Sequence, residues 1–330
     1  TTKSGKSGKT NVNYSGNVRF NDAIGIPELM DSYTFAQYFN RASSNRGGGD
    51  IFSPAVMERI KAYQEGTLTA TTVDNGSGIW QKWANANGNT DWFGEFYDNW
   101  VPSQEHNLSI SGGTEKLQYV LSGSFLDQKG LLRHGTDKFQ RYTLNSKITA
   151  NITDWLKVTL NSKWTREDFQ RPTYLTSSFF HNLARKWPVH PAYDPNGFPM
   201  DEGEIEQMEN GGEQNSQKDY YTNQLHVVIE PIKNWRINLE GSVRTTTQYQ
   251  HWEVLPVHAY DVNGDPYYTV WDMGYGSYSA GSSRVDEYSW KENYYTTNIY
   301  SDYFKQFDNG HYFKVMAGFN AELYKNRSIE

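Results

Sequence analysis

Residues 139–164 read FQRYTLNSKITANITDWLKVTLNSKW, and this stretch decides the fold. Apolar residues alternate with Thr, Asn and Lys on both sides of a turn at Thr153-Asp154-Trp155. A period of two places successive side chains on opposite faces of a strand, so the stretch predicts two antiparallel strands joined by a tight turn. The residues of the apolar face are Tyr142, Leu144, Ile148, Ala150 and Ile152 before the turn, and Leu156, Val158, Leu160 and Trp164 after it.

The length and the two faces of these strands suit a membrane. Each strand has about ten residues or more, which is near the length that a tilted strand needs to cross a bilayer. One face is apolar with aromatic residues near its ends, and the other face is polar. Lipid outside and water inside favour this division of the side chains. The stretch therefore predicts an all-β fold, a transmembrane antiparallel up-and-down β-barrel.

The same alternation recurs outward from this stretch and predicts about nine strands. Short turns and long loops alternate along the chain, so all short turns lie at one end of the strands and all long loops at the other. Outer-membrane barrels have this asymmetry, with short periplasmic turns and long extracellular loops. The extracellular loops are predicted at about 21–105, 127–138, 167–218 and 245–287.

The first long loop also carries helix signals. Ser53-Pro54 is a strong helix start, because Ser caps a helix and Pro suits its first position. Ser32 is a candidate cap for a second helix that runs through Phe35 and Phe39. Short helices are therefore expected within the loops.

Composition limits the class of protein. The 330 residues are 36% hydrophobic and 15% aromatic, as expected of a barrel in which only alternate strand residues meet lipid. The mean hydropathy is −0.80, and no apolar run approaches the 18 residues of a transmembrane helix. The net charge of −7 argues against a nucleic-acid partner, and the absence of cysteine excludes disulfides. A secreted all-β carbohydrate-binding protein or glycoside hydrolase would share this composition.

The chain starts with Thr1-Thr2-Lys3 and stops inside an alternating run, Phe313 to Leu323. We therefore expect a fragment of a longer protein.

Several runs of the chain carry a resemblance to a known family. These runs are GGTEKLQY (Gly112–Tyr119), SGSFLDQKG (Ser122–Gly130), TDWLKV (Thr153–Val158), Asp91-Trp92-Phe93 and the opening TTKSGK (Thr1–Lys6), together with the helical pieces Tyr33–Asn40 and Phe52–Gly66. They resemble the SusC/RagA-type TonB-dependent outer-membrane transporters, and the resemblance covers essentially the whole chain.

The resemblance implies a 22-stranded barrel filled by an N-terminal plug, of which only part is present here. Residues 1–10 would be the end of the plug and its linker, and residues 11–330 the N-terminal part of the barrel. The implied function is TonB-dependent import of oligosaccharides across the outer membrane of Bacteroidetes-type bacteria, with oligopeptides as the alternative cargo. The implied partners are a SusD-like surface lipoprotein, the TonB–ExbB–ExbD complex through a segment absent from this chain, outer-membrane lipid, and a second SusC–SusD pair in a dimer.

Aromatic residues are concentrated in the predicted loops. An aromatic face is apolar and accepts the CH groups of a sugar ring, so these residues are candidates for substrate binding. The alternative for each ring is packing within the loops or contact with the bilayer interface. The candidates are Trp83, Trp92, Trp187, Tyr193, Trp252, Tyr260 and Trp271.

No catalytic or metal site is predicted, and no cofactor. The twin segments YDPNGFP (193–199) and YDVNGDP (260–266) have calcium-like Asp-x-Asn spacing but lack the full loop pattern, so Asn-Gly turns are favoured. An acidic run from Asp201 to Glu213 lies in one Gly-flanked loop, where a solvated face is expected rather than the opposed carboxylates of a glycosidase. The eight His residues have no zinc spacing.

Overall fold

The computed structural model describes residues 7–269, 271–272, 277–278 and 281–329. Nine long strands form one antiparallel sheet, and each pairs with the next long strand along the chain. This order confirms the predicted antiparallel up-and-down arrangement, here an open sheet with β1 and β13 at its edges. The long strands are β1 (Gly8–Asn21), β2 (Val101–Gly113), β3 (Leu117–Lys129), β4 (Lys138–Asn151), β5 (Leu156–Pro172), β6 (Glu213–Ile232), β7 (Trp235–Val254), β12 (Arg284–Gln306) and β13 (Tyr312–Ile329).

Four strands of two or three residues lie between β7 and β12. They form two small antiparallel pairs outside the main sheet. They are β8 (His258–Tyr260), β9 (Pro266–Tyr268), β10 (Trp271–Asp272) and β11 (Ser277–Tyr278).

The strands extend further toward the long loops than the alternation predicts. β5 continues to Pro172 and β6 begins at Glu213, so the loop between them is 173–212 rather than 167–218. The other predicted ranges change in the same way, to 22–100, 130–137 and 255–283. These extensions carry polar residues on both faces, for example at Arg166-Glu167-Asp168, so a ladder of hydrogen bonds continues where the apolar period has ended. β1 begins at Gly8, inside the predicted linker 1–10, and residues 1–6 lie outside the described residues.

The register aligns the apolar positions of all nine strands into one continuous face. Leu160 lies opposite Ile148 on one side and Leu225 on the other, and Leu144 lies opposite Trp164. Leu144 is 56% exposed and Leu160 is 43% exposed, so this face does not pack against another part of the described chain. The outward apolar face agrees with the predicted transmembrane barrel and leaves no apolar sheet interior for a secreted sandwich.

The opposite face of the sheet is polar and carries paired charges. Arg236 contacts Asp302 at 2.8 Å, and Arg244 contacts Glu292 at 3.2 Å. The inward-facing Thr149 and Thr159 lie 3.3 Å apart through their hydroxyl groups. This face would line the lumen of a closed barrel.

The helices all lie in the long loops. Within the described part of the chain, no helix has the length and apolar character needed to cross a membrane. The helices are α1 (Ser32–Asn45), α2 (Pro54–Gln64), α3 (Trp92–Phe96), α4 (Ser177–Leu183), α5 (Ile205–Asn210) and a short 3-10 helix at Trp83–Asn85.

Two helix starts test the sequence signals. α2 begins at Pro54 with Ser53 as its cap, as predicted. α1 is capped by Asp31, whose Oδ1 accepts from the backbone N–H of Thr34 at 3.0 Å, and the predicted cap Ser32 is the first helical residue. The error arises because Asp and Ser are adjacent and cap helices equally well.

The long loops pack together, and we call residues 22–100, 130–137, 173–212 and the described part of 255–283 the loop layer. Its larger hydrophobic cluster takes residues from all four loops and from the end of β7: Trp92, Phe96, Leu132, Tyr174, Leu175, Phe179, Leu183, Ala192, Ile205, Met208, Val254 and Val257. Its smaller cluster joins the first loop to the third through Ala36, Phe52, Val56, Ile60 and Val189. These clusters give the loop layer a core of its own.

Candidate substrate-binding site

A cavity of about 650 Å³ lies in the loop layer where three segments meet. The segments are Lys82-Trp83 in the first loop, Arg185–His190 after α4, and Asp201–Glu204 before α5. Aromatic rings and polar groups both line the cavity, at Phe35, Phe39, Trp83, Tyr174, Asn182, Arg185, Lys186, Trp187, Glu202, Glu204 and Gln207. Its size is in the range of small-molecule sites.

His190 is the buried centre of this region. Its ring stacks on Trp83 with a centroid distance of 4.6 Å, and on Trp92 at 6.0 Å. Nε2 lies 3.0 Å from the backbone oxygen of Asp201, so Nε2 carries the proton, and Nδ1 accepts from the backbone N–H of Trp83 at 3.4 Å. Burial lowers the pKa of His190 well below its ordinary value, and the nearby Lys186 cation adds to the effect. His190 is therefore the neutral tautomer.

Lys186 brings a buried cation to the same place. Its Nζ lies 3.3 Å from Glu204 Oε2 and donates to the backbone oxygen of Glu202. The ammonium also lies over the rings of Trp92, at 5.0 Å, and Trp83, at 5.6 Å. Burial lowers the pKa of Lys186, while Glu204 acts in the opposite direction. The carboxylate and the two aromatic faces together replace the water that this cation loses.

Lys82 fixes the acidic side of the cavity. Its Nζ contacts Asp201 Oδ2 at 2.7 Å and Glu202 Oε1 at 2.6 Å. Burial acts to lower the pKa of Lys82, but the hydrogen bonds to both carboxylates outweigh it and raise the pKa. The indole N–H of Trp83 donates to the other oxygen of Glu202. The Glu202 carboxylate is thereby held at the edge of the cavity.

The backbone of this site is strained. Five described non-glycine residues have positive φ, and three of them, Trp83, Glu202 and Glu204, line the cavity. A bulky residue such as Trp83 at φ 51° is a genuine outlier, because its Cβ crowds the backbone in the left-handed region. Such strain persists where the surroundings enforce it, and it concentrates at ligand sites. Glu202 and Glu204, two of these three residues, also form ion pairs with Lys82 and Lys186.

This arrangement suits the binding of a polar ligand. Among the residues that the structure describes, no group of three or more His, Asp or Glu is placed to hold a metal ion. The described carboxylates around the cavity are ion-paired with Lys82 and Lys186 instead of opposing each other across open space. Aromatic walls with fixed donors and acceptors recognise a polar ligand that also has apolar faces.

Three of the predicted residues come together here. Trp83 and Trp187 line the cavity, and their rings meet edge to face at 5.9 Å. Trp92 lies behind them with no exposed surface, and its Nε1–H donates to the backbone oxygen of Trp187 at 3.0 Å. A buried ring cannot touch a ligand, so Trp92 supports the site rather than lining it.

Tyr193 and Tyr260 belong to a second cluster formed by the twin segments. Each segment is a tight turn: Asp194 Oδ1 accepts from the N–H of Asn196, and Asp261 Oδ1 from that of Asn263, both at 2.8 Å. The turns also contact each other, because the Tyr260 ring stacks on the ring of Phe198 at 4.1 Å. The turn interpretation of Asn-Gly is therefore confirmed. Burial, with the nearby Glu95, raises the pKa of Tyr193 to about 12.

Of the two remaining candidates, Trp252 does not line the cavity. Trp252 packs against the larger hydrophobic cluster near the end of β7. The side chain of Trp271 lies outside the described residues.

The sequence interpretation missed the charged half of the site. The acidic run was expected to be a solvated face, but Glu204 and Glu206 are buried, and Asp201, Glu202 and Glu204 form ion pairs within the loop layer. Lys82 is more than a hundred residues from its partners Asp201 and Glu202, and a turn separates Lys186 from Glu204. No regular spacing in the sequence therefore reveals these pairs. The one available signal was the combination of Lys186, Trp187 and His190 in a single short segment.

A pH dependence follows from His190. In the unfolded chain this residue is protonated near pH 6.5, whereas the folded state resists its protonation. The free energy of unfolding therefore has its full value above that pH and falls as the pH decreases below it. We expect the loop layer to lose up to about 1.4 kcal/mol per pH unit in this window. Thermal unfolding followed by tryptophan fluorescence between pH 7.5 and 5.5 would measure the loss. His190→Gln should flatten the dependence; equal slopes in both proteins would contradict the assignment.

Comparison with known proteins places the chain in a wider context. No family model matches it. The TonB-dependent receptor SusC of Bacteroides thetaiotaomicron is 25% identical over 166 residues, which is 50% of this chain and 13% of SusC. The structures of the RagAB peptide importer match 99% of the chain, with TM-scores of 0.70 in the closed-closed state and 0.72 in the open-open state, at 16% identity.

The chain spans 36% of the matched RagAB chain, so it corresponds to a part of such a protein. The similarity to SusC is in sequence, and the similarity to RagAB is in fold. By these two similarities the chain is a SusC homologue in sequence and has the fold of part of RagAB.

Proposed function

We propose that the chain is part of a TonB-dependent transporter that imports oligosaccharides across the bacterial outer membrane. The nine strands form part of the barrel wall, and the loop layer captures the substrate on the outer side. The protein performs no covalent chemistry on its cargo. Energy from TonB moves the plug and opens the path, and that machinery lies outside this segment.

The cavity of the loop layer carries this proposal. Sugar rings present apolar CH faces together with many hydroxyl groups, and the cavity offers aromatic walls at Phe35, Phe39 and Trp187 beside fixed donors and acceptors. Glu202 is half-exposed at its side chain, so one carboxylate remains accessible to hydroxyl groups. The strained backbone at Trp83 indicates a surface shaped in advance for a ligand.

The inward face of β7, β12 and β13 continues the same chemistry into the lumen. Arg244 lies over the ring of Tyr294 at 5.2 Å and donates to Glu292 at 3.2 Å. Tyr294 donates to Glu322 through its hydroxyl group. A wall of rings, carboxylates and guanidinium groups supports passage of a polar, hydroxyl-rich substrate.

The proposed partners follow from the same assignment. A SusD-like lipoprotein would sit on the loop layer and close over the cavity. The TonB–ExbB–ExbD complex would act through a segment outside this chain, and two transporter–lipoprotein pairs would form a dimer.

Import of oligopeptides is the second candidate. RagAB, which shares the fold, is described as a peptide importer. The cavity also contains groups of both signs, with exposed Arg185 and half-exposed Glu202 available for the carboxylate and ammonium groups of a peptide. Identification of the bound cargo separates oligosaccharide import from oligopeptide import.

The test uses the complete transporter with its lipoprotein. Mass spectrometry of ligand released from the purified complex identifies the cargo, and calorimetry with that cargo measures its affinity. We expect Trp83→Ala and Trp187→Ala each to weaken binding roughly 30-fold, which corresponds to about 2 kcal/mol for a lost aromatic contact.

The matched control is Trp155→Ala. It removes a half-exposed indole from a short turn at the end of the strands opposite to the loop layer. It should leave the affinity unchanged. Released peptide instead of glycan would select the second candidate. Equal affinity in the wild type and both cavity variants would overturn the assignment of this cavity as the site.

A further inference from the structure

Three cations lie together on the outward face of β12 and β13. Lys291 is directly opposite Arg327, and Lys325 is opposite Asn293, one alternate position closer to the short turn. We call Lys291, Lys325 and Arg327 the basic patch. All three side chains are exposed, and Lys325 and Arg327 lie on β13, the edge strand of the described sheet. Like charges opposite each other in a sheet are destabilising, so the pairing of Lys291 with Arg327 needs an explanation.

The basic patch lies immediately above the apolar band. On β13 the outward positions run from Phe313 to Leu323 without a charge, and the next two are Lys325 and Arg327. On β12 the last aromatic residue of the band is Tyr295, and Lys291 follows two outward positions later. The long-loop end of the strands is the extracellular end, so the patch is at the level of the lipid headgroups of the outer leaflet.

Other cations of the described chain also lie on the outward face between the apolar band and the long loops, and they differ from the basic patch. Those cations have carboxylate partners: Lys129 contacts Asp98, Lys138 contacts Asp127, Arg166 contacts Asp219 and His251 contacts Glu287. β13 presents no carboxylate on its outward face. The nearest outward carboxylate on β12 is Glu287, which already binds His251 at 2.6 Å.

We propose that the basic patch binds the phosphate groups of a phosphorylated lipid in the outer leaflet of the membrane. The anionic headgroup compensates the like-charged pair, while the acyl chains lie against the apolar band below, beside Tyr295 and Leu323. Location above hydrocarbon selects a lipid, because a free phosphate would gain nothing from the band. An anion that lies between the cations relieves their mutual repulsion.

The experiment uses the complete transporter purified in mild detergent. Native mass spectrometry counts bound lipid after incubation with a diphosphorylated glycolipid of the lipid A type, with phosphatidylethanolamine as the zwitterionic comparison. The wild type should retain the diphosphorylated lipid and not phosphatidylethanolamine. Each Lys or Arg near an anionic surface contributes roughly a fivefold gain, so the triple variant K291N/K325N/R327N should lose roughly a hundredfold in affinity.

Two control variants keep the result interpretable. K291R/K325R/R327K preserves the charges and should retain the lipid. Lys305→Gln removes an outward cation of the same strand at the opposite end of the apolar band, and it should also retain the lipid. Retention of the lipid by the triple Asn variant would overturn the proposal, and so would loss of the lipid in the charge-preserving variant.

A competition arm separates a lipid headgroup from free phosphate. Millimolar pyrophosphate presents the same charges without acyl chains, and it should not displace the lipid. Displacement of the lipid by millimolar pyrophosphate would overturn the lipid assignment in favour of an anion site. None of these outcomes depends on the cargo of the transporter, so failure here leaves the proposed function unaffected.

Discussion

Methionine in place of Lys186 is expected to destabilise the loop layer by about 3–5 kcal/mol. The Lys186 side chain is only 2% exposed, and that of its partner Glu204 is 7% exposed. Removing the ammonium leaves Glu204 as a buried charge without its cation, and the desolvation of that charge is no longer offset. Tryptophan fluorescence reports the change directly, because the rings of Trp83 and Trp92 flank the ammonium.

A double variant and a surface control sharpen this measurement. K186M/E204Q removes both charges and should recover most of the loss, because a neutral pair costs far less to bury. Lys61→Met breaks an exposed pair between Lys61 on α2 and Glu65 just after it, and should cost less than about 1 kcal/mol. Similar losses for Lys186→Met and Lys61→Met would show that the buried pair does not hold the site together.

Arginine in place of Leu160 is expected to cost about 2–4 kcal/mol in the membrane. Leu160 lies outward near the middle of the apolar band, between Ile148 and Leu225 on the neighbouring strands. Arginine there would meet hydrocarbon. Unfolding by guanidinium of the complete transporter in lipid vesicles, with the yield of protein in the outer membrane as a second readout, would measure the loss.

The neighbouring position provides the control for Leu160. Thr159 faces the lumen, so Thr159→Arg introduces the same charge on the wetted side and should be tolerated. The two variants differ by one residue in sequence and by the face of the sheet they occupy. Equal stability of the two proteins would contradict the assignment of lipid to the apolar face.

The strands could be predicted from the sequence because their signal is local. Alternation along residues 139–164 depends only on which neighbours meet lipid, and each further strand repeats the same constraint. The ends of the strands could not be predicted in this way, because beyond the band both faces meet water. Arg166 and Asp168 continue β5 through hydrogen bonds that any side chain permits.

The candidate site could be predicted only in part. Aromatic content identified Trp83 and Trp187, but no local feature separates them from the buried Trp92. That distinction depends on packing between loops that are distant in sequence. The charged residues escaped prediction for the same reason, because Lys82 meets Asp201 and Glu202 only after the first and third loops come together.

The shared core of the loop layer has a consequence for the order of assembly. Trp92 packs in one cluster with Val254 and Val257, and the chain between them is about 160 residues long, a separation whose closure carries a large entropic cost. The first loop is therefore synthesised before its packing partners. Until β7 is in place, its indole and phenyl rings stay open to water and to chaperones, and the cavity forms only when the late strands join the sheet.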